Sequence, residues 1–290
     1  MRSFLKNWGN VFKPSNKILI IFTLIILLML IKYLLNKSNI LDFYNILEKF
    51  NVNSNKNNNN LTIIITASII PSHPDIKMIK ETMNSLDLIN HKNSKIILAH
   101  DYSNEEKYKK YLKNLKNYVK DMDNVQIVVR DHWGHLTGNI RNAMKYVKTK
   151  YVLLVQHDFP FTQNIYIHKV IQDMEKNSKL KNVRFNQFNN NQIIGWEKDF
   201  NKHNLYNKHK INSNYNYLST GNWSDNNHIC STEHYNKVIL SMCKDKTAME
   251  RNFFGIERDE KYIEKFGTFI FGDMNTKKLI NHLDGSERYK

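Results

Sequence analysis

The stretch GHLTGNIRNAMKYVKTKYVLLVQHDFPF, from Gly134 to Phe161, decides the fold because it joins a helix, a strand and a polar strand end without interruption. Apolar residues spaced i, i+3, i+4 and i+7 predict an amphipathic helix: Ile140, Ala143, Met144 and Val147. The apolar run Tyr151 to Val155 follows, which is typical of a strand covered on both faces in a parallel or mixed sheet. It stops abruptly at Gln156-His157-Asp158.

The polar residues after this strand predict a ligand site. Ligands of open α/β sheets bind in the crevice outside the carboxyl ends of the strands. A carboxylate there, such as that of Asp158, can hold a divalent cation through oxygen. The other interpretation is that Asp158 only caps the turn before Pro160. The stretch alone leaves both interpretations open.

The segment resembles the corresponding region of inverting, nucleotide-sugar-dependent glycosyltransferases of family 2 with the GT-A fold. Arg141-Asn142 matches an Arg-Asn pair of that family, and Gln156-His157-Asp158 falls on its Asp-x-Asp metal motif. The resemblance implies that Arg141, Asn142, Gln156 and Asp158 bind the nucleotide-sugar, with Asp158 also touching the metal. Gln156 departs from the pattern because it brings no negative charge, although its amide can hydrogen-bond a ribose as donor and acceptor.

Strands and helices alternate upstream of this segment. The runs Leu61 to Ile70, Lys95 to Ala99 and Val125 to Val129 predict three strands, and amphipathic helices follow the first two. This alternation predicts a mainly parallel, Rossmann-like sheet flanked by helices, in one α/β domain over residues 61–290. The resemblance implies that this domain has the GT-A fold.

Downstream, the sequence predicts a helix from Ile165 to Lys176 and a strand from Val183 to Phe188. The polar stretch Asn189 to Asn216 is expected to be a surface excursion, and Thr247 to Phe254 a helix.

The resemblance implies further binding residues. Asp101 lies where the family has the acid that accepts from a uracil ring; its alternative is a turn-initiating Asp at a strand end. Trp223, Asp225 and Asn226 fall in a loop that matches the acceptor site, and a Trp face beside polar groups suits a sugar. For Trp223 the alternative is a core position beneath a tight turn, and both stay open.

The resemblance also implies a base and a second metal ligand. An inverting transfer needs a carboxylate to take the acceptor hydroxyl proton. Glu250 is the catalytic candidate because it lies where the family has a Glu-Asp motif, although Arg251 replaces the Asp and Glu257 competes with it. His282 falls where several GT-A enzymes have a metal-binding His. Nitrogen and carboxylate ligands suit Mn²⁺, with Mg²⁺ as the other option for the divalent metal.

The N-terminal region predicts a membrane anchor. Residues 1–17 form a basic tail, residues 18–35 an apolar run near the short limit for crossing a core of about 30 Å, and residues 36–60 an Asn-rich stem. A cleaved signal peptide is the rival interpretation, but no Ala-x-Ala-like site follows. The basic flank predicts a cytosolic N-terminus and a lumenal or extracytoplasmic catalytic domain, a single-pass type II arrangement of the ER/Golgi kind.

Composition narrows the function. The formal net charge of +16 suits a phosphate-bearing donor or an anionic surface, but the lysines are scattered without an aromatic-basic motif, which argues against nucleic acid as a partner. Two cysteines cannot build a four-ligand zinc site, and either a pair or two free thiols fits their spacing.

The sequence therefore predicts a membrane-anchored glycosyltransferase. The resemblance implies that it would move a sugar, by inversion, from a nucleotide-diphosphate donor, a UDP-sugar by preference, to a hydroxyl of a glycan, protein or lipid. The alternative is a degenerate, non-catalytic protein of the same fold that acts as a membrane-tethered scaffold.

Overall fold

A computed structural model of the protein describes residues 60–91, 94–196, 205–221, 223–253 and 264–283, together with Ile25, Ile26 and Met29. Among these residues, none of the helices has the length and apolar content needed to cross a membrane. The predicted tail, anchor and stem lie outside the described residues, except for those three helical residues and Asn60. Glu257 also lies outside them.

The described part of the chain from Asn60 onward is built on one sheet. Its strands are β1 Leu61–Ala67, β2 Lys95–His100, β3 Val125–Val129, β4 Tyr151–Gln156, β5 Asn182–Arg184, β6 Ile211–Asn212, β7 Asn216–Ser219, β8 His228–Ser231 and β9 Thr268–Phe271. Their order across the sheet is β3-β2-β1-β4-β8-β5-β9-β7-β6.

Helices connect these strands. They are α1 Lys77–Ser85, α2 Glu106–Val119, α3 His135–Met144, α4 Ile167–Lys176, α5 Asn190–Trp196, α6 Leu205–Lys208, α7 over residues 232–242 and α8 Met249–Phe253. The middle of α7, Tyr235–Ile239, is a π-helical turn.

The N-terminal half of the sheet is parallel, as the sequence predicts. β1 pairs in parallel with β2 and with β4, and β2 pairs in parallel with β3. The register places Ala67 opposite His100 and Thr66 opposite Gln156. The carboxyl ends of β1, β2 and β4 therefore finish at the same edge of the sheet, where the predicted site residues follow.

The central strands are buried on both faces because their side chains alternate between two cores. In β1, Ile63 and Ile65 pack into one hydrophobic cluster and Ile64 into the other. Beyond β4 the sheet is mixed, since β8 runs antiparallel to both β4 and β5. Cys230 and Cys243 are buried free thiols, which is one of the two arrangements that the sequence left open.

Three predicted elements differ from those observed. The first strand ends at Ala67 instead of Ile70, and the strand predicted from Val183 to Phe188 is Asn182–Arg184. The stretch Asn189 to Asn216 is not a plain surface excursion, since it contains two short helices and edge strand β6 and buries Asn190, Leu205 and Ile211. Its Asn-rich composition hides these few anchoring positions.

Candidate functional site

A cleft of ≈ 380 Å³ opens at the carboxyl ends of β1, β2 and β4. The strand order reverses between β1 and β4, and open α/β sheets bind their ligands at such a switch point. Loops after several strands contribute to the lining: Thr66, Ala67, Ser68, Ile69, Asp101, Trp133, His135, Leu136, Asn139, Gln156, His157, Asp225 and Ala248. Three predicted site residues, Asp101, Gln156 and Asp225, are among them.

Asp101 presents one paired and one unpaired carboxylate oxygen. Its Oδ1 accepts hydrogen bonds of 2.9 Å from the backbone amides of Tyr102 and Gly134, and Arg130 Nε lies 3.8 Å from the same oxygen. Its Oδ2 is buried and has no hydrogen-bond partner among the described residues. Because an unpaired buried acceptor costs free energy, this oxygen is suited to accept from a ligand.

The loop before α3 is shaped by close packing around Arg130. A Cβ on Gly134 would lie 2.6 Å from Arg130 Cζ, so a larger residue there would displace the Arg130 guanidinium. Arg130 Nη1 donates to the Gly138 carbonyl. His135, which lines the cleft, has φ 56°, in the left-handed region. Such backbone strain costs about 1–3 kcal/mol in a non-glycine residue and is concentrated at ligand sites.

Two buried asparagines hold the strand ends together. Asn139 Nδ2 donates to the carbonyl of Ala67, which ends β1, at 3.2 Å, and to that of Ala99, one residue before the end of β2, at 2.8 Å. Asn227 Oδ1 accepts from the Gln156 amide at 3.1 Å, and its Nδ2 donates to the Phe159 carbonyl at 2.8 Å. The cleft edge is therefore fixed by amide side chains from α3 and from the loop before β8.

Gln156 lines the cleft, but its amide nitrogen is engaged within the protein. Gln156 Nε2 donates to the backbone carbonyl of Asp225 at 2.6 Å. The side chain thus ties the end of β4 to the loop before β8. No bond of this kind would form from the Asp that the family pattern places here, because a carboxylate is only an acceptor.

Asp158 and His282, which the resemblance implies as metal ligands, lie beside each other at the end of β4. His282 Nε2 lies 3.1 Å from Asp158 Oδ2, although 124 residues separate them. Asp158 Oδ1 is buried and has no partner among the described residues. Burial alone would raise the pKa of Asp158, but the hydrogen bond from His282 and the charges of His157 and His282 outweigh it and lower that pKa.

This pair suits a divalent cation as a partial ligand set. One carboxylate oxygen is buried and unpaired, and imidazole nitrogen with carboxylate oxygen suits Mn²⁺. Within the described residues no three His, Cys, Asp or Glu side chains are grouped to hold a metal ion. A cation at this position would therefore need further ligands from a bound donor or from water.

Asp225 lies beside the predicted base Glu250. The Asp225 amide donates to Glu250 Oε1 at 2.9 Å, and Trp223 Nε1 donates to Asp225 Oδ1 at 3.3 Å. Burial, and next the charge of Glu250, raise the pKa of Asp225 to about 7. Part of Asp225 is still accessible from the cleft, so a ligand can reach this carboxyl group.

The two other predicted acceptor residues are buried. Trp223 is 7% exposed, and its ring stacks on Phe253 at a centroid distance of 4.8 Å. Trp223 is therefore a core residue, the second of the two interpretations that the sequence left open, and offers no face to a sugar. Asn226 is 5% exposed, and its carbonyl accepts from His228 Nδ1 at 2.7 Å.

Arg141 and Asn142 lie outside the cleft that holds Asp101. Arg141 Nε pairs with Asp245 Oδ1 at 2.9 Å, and its Nη2 donates to the carbonyls of Leu240 and Cys243. Arg141 thus binds the C-terminal end of α7, where backbone carbonyls attract a cation. The structure does not bring these two residues together with the other predicted donor-binding groups, and the Arg141 side chain is held at the end of α7.

Several cleft residues have no counterpart among the predicted ones. Trp133 is 50% exposed, lines the cleft, and packs edge-on against His135 with ring centroids 5.9 Å apart. The only sequence signal for Trp133 as a cleft residue was its position two residues after Asp131, which follows β3. The role of Asn139 and Asn227 had no local signal, since asparagine is common throughout the chain.

The strand order, the cleft at the switch point and the polar ends of β2 and β4 define the class: a GT-A-like α/β fold with a ligand cleft at its switch point. The family model described as glycosyl transferase family 2 matches residues 68–239, more than half of the chain. The chain therefore belongs to glycosyl transferase family 2. No curated protein sequence is significantly similar to it.

The solved structures that match this chain are distant from it. The mannosyltransferase PcManGT from Pyrobaculum calidifontis, in complex with GDP-Man and Mn²⁺, is 8% identical, with a TM-score of 0.44 over 62% of this chain and 46% of that chain. Residues 1–349 of S. aureus TarS are 12% identical, with a TM-score of 0.46 over 77% and 60%. A cytidylyltransferase from Leptospira borgpetersenii is 10% identical, with a TM-score of 0.45 over 76% and 78%. The chain spans less than two thirds of the first two.

Proposed function

We propose that this protein is a glycosyltransferase that moves a sugar from a nucleotide-diphosphate donor to a hydroxyl acceptor. The observation that carries the proposal is the meeting of Asp158 and His282 at the end of β4, directly after the cleft residue His157. The pair leaves one buried carboxylate oxygen without a partner among the described residues. Membership of family 2 supports the same chemistry.

The donor would lie along the cleft with its base at Asp101. The unpaired Oδ2 of Asp101 accepts a hydrogen bond, so it selects a base that presents an N–H group, such as uracil. Asp158 and His282 would hold a divalent cation, Mn²⁺ or Mg²⁺, at the diphosphate. When bound, this cation would stabilise the charge that develops on the leaving diphosphate.

The acceptor would enter near the Asp225–Glu250 pair. Its hydroxyl oxygen attacks the anomeric carbon while a carboxylate of the pair takes the hydroxyl proton. Attack on the face opposite the leaving diphosphate inverts the anomeric centre. The acceptor is a glycan, a protein or a lipid, and the N-terminal run 18–35 would hold the domain at a membrane with its catalytic part extracytoplasmic.

One observation favours the alternative function, a non-catalytic binding protein of the same fold. Gln156 replaces the first Asp of the metal motif, and its amide nitrogen donates to the Asp225 carbonyl. The end of β4 therefore carries one carboxylate instead of two. This alternative predicts donor binding without turnover.

Calorimetric titration tests the donor site. We expect full-length protein in mild detergent to bind UDP or GDP with Mn²⁺ present, and to lose about 10-fold or more in affinity on chelation or in Asp158→Ala. Asp121→Ala removes a carboxylate that is 86% exposed and should leave binding unchanged. Absence of UDP and GDP binding by the wild type, with and without Mn²⁺, contradicts the proposal.

Release of nucleoside diphosphate from a panel of UDP- and GDP-sugars separates the two functions. Turnover of any donor, lost in Asp158→Ala, supports the transferase. Metal-dependent binding with no turnover of any donor supports the non-catalytic alternative.

A further inference from the structure

The two carboxylates near the acceptor entrance differ in their access to the cleft. Asp225 is part of the cleft lining, whereas the lining drawn from the described residues does not include Glu250. We propose that Asp225 is the group that takes the proton from the acceptor hydroxyl, and that Glu250 is a positioning residue that holds Asp225 and keeps it basic. This inference rests on the glycosyl transfer proposed above.

Three hydrogen bonds fix the position of Asp225. Its amide donates to Glu250 Oε1 at 2.9 Å, and its carbonyl accepts from Gln156 Nε2 at 2.6 Å. Its Oδ1 accepts from Trp223 Nε1 at 3.3 Å, and the buried Trp223 ring is itself held by Phe253. A general base must be oriented within hydrogen-bond reach of the proton that it removes, and this residue is held from three directions.

The surroundings of Asp225 bring the pKa of its carboxyl group close to neutral pH. Burial is the main cause of a pKa of about 7, and the charge of Glu250 adds to it. The hydrogen bond from Trp223 and the backbone amides of Met249 and Glu250 act in the opposite direction. A base with a pKa close to the working pH is the most effective one, because it is ionised and still strongly basic.

Three titratable groups packed around Asp225 do not carry charge at pH 7: Tyr235, Cys243 and His228. Burial raises the pKa of Tyr235 well above its usual range and that of Cys243 to about 12. Burial lowers the pKa of His228 to about 4, so it is neutral as well. The carboxylate of Glu250 is therefore the charge, among the groups named here, that tunes Asp225.

The acceptor oxygen forms a bond to the anomeric carbon, and its proton passes to the Asp225 carboxylate. The bond between the anomeric carbon and the β-phosphate oxygen breaks, and its electron pair leaves with the nucleoside diphosphate. Asp225 then returns the proton to water.

The indole of Trp223 provides a direct test, because its N–H donates to the titrating carboxyl group. We would follow the indole ¹⁵N–¹H signals of the full-length protein from pH 5 to 9 and assign Trp223 with Trp223→Phe. The expected midpoint is about 7 in the wild type and moves to lower pH in Glu250→Gln, which keeps an acceptor for the Asp225 amide and removes only the charge. The inflection should vanish in Asp225→Asn. A Trp223 signal that does not titrate in the wild type overturns the inference.

Hydrolysis of the donor panel, with water as the hydroxyl, supplies the second readout. We expect Asp225→Asn to lower kcat by about 100-fold or more. Glu250→Gln should keep turnover, but the pH below which its kcat falls should be lower than in the wild type. The assignment is overturned if Glu250→Gln loses turnover at every pH while Asp225→Asn keeps a kcat within a few-fold of the wild type. If the wild type turns over no donor, the base assignment fails together with the proposed function, whatever the indole titration shows.

Discussion

Asp101 offers a ligand a single oxygen, because the backbone amides of Tyr102 and Gly134 already occupy the other. An acceptor that is buried and unpaired discriminates between bases by what they present to it. Uracil N3–H and guanine N1–H are donors, whereas cytosine N3 is an acceptor and would face the carboxylate with a lone pair. We expect UDP or GDP to bind at least about 10-fold more tightly than CDP, measured by competition titration.

Asp101→Asn tests this reading of the site. The amide oxygen can still accept from the two backbone amides, but the NH₂ group then faces the base and donates where an acceptor is needed. We expect the affinity for UDP to fall about 10- to 100-fold, and the ratio of UDP affinity to CDP affinity to become smaller. Asp131→Asn changes an acid that is 91% exposed and serves as the control. An unchanged preference for UDP over CDP would show that Asp101 does not read the base.

At the residue scale, the sequence predicts which residues lie at the ends of strands. It does not predict side-chain orientations that depend on packing between distant elements. Gln156 is the last residue of β4, and Asp101 and Asp158 follow β2 and β4, so the topology places all three at one edge. His282 could be placed beside Asp158 only by resemblance. The orientation of Arg141 could not be predicted, because it depends on where the end of α7 lies.

At the scale of elements, Asp173 joins α4 to the β6–β7 hairpin. Its carboxylate is fully buried and accepts from Tyr217 Oη at 2.7 Å, from the Asn214 side chain at 2.8 Å, and from the amides of Asn214 and Tyr215 at 3.1 Å each. Asp173→Asn removes the charge that strengthens these bonds. We expect the free energy of unfolding in urea to fall by roughly 2–3 kcal/mol.

The same carboxylate makes the hairpin sensitive to acid. Burial acts to raise the pKa of Asp173, but the hydrogen bonds that it accepts outweigh burial and lower that pKa. Its contribution to stability is therefore complete above the pKa of the unfolded chain, about 3.9, and is lost as the pH falls through the lower folded value. Asp173→Asn should lose less stability than the wild type below about pH 4. Asp87→Asn, at a side chain 92% exposed, should follow the wild type.

The elements themselves were largely predictable, because the central strands carry long apolar runs and α2 a clear helical period. The second and third strands lie within one residue of their predicted bounds, and α2 follows the second strand as predicted. The hairpin of β6 and β7 was not predicted, because each strand is short and depends on pairing at the far edge of the sheet and on Asp173. Such tertiary anchors leave no periodic signal in sequence.

At the scale of the whole molecule, the two parts of the sheet supply different groups to the site. The parallel half, β3-β2-β1-β4, provides the strand ends that carry Asp101 and Asp158. The loop before β8 and the start of α8 add Asp225 and Glu250. This division matches a reaction with two substrates, since the proposed donor groups follow β2 and β4 and the proposed acceptor groups follow later in the chain.

The N-terminal region makes a prediction for the orientation of the whole chain. Arg2, Lys6, Lys13 and Lys17 precede the apolar run 18–35, and positive charge stays on the cytosolic side during insertion. Translated with microsomal vesicles, the chain should resist alkaline extraction, and a C-terminal tag should be protected from added protease until detergent is present. Replacing the four basic residues by Glu should expose the tag in a large fraction of molecules. A wild-type tag that is cleaved on intact vesicles would place the domain in the cytosol and contradict the type II arrangement.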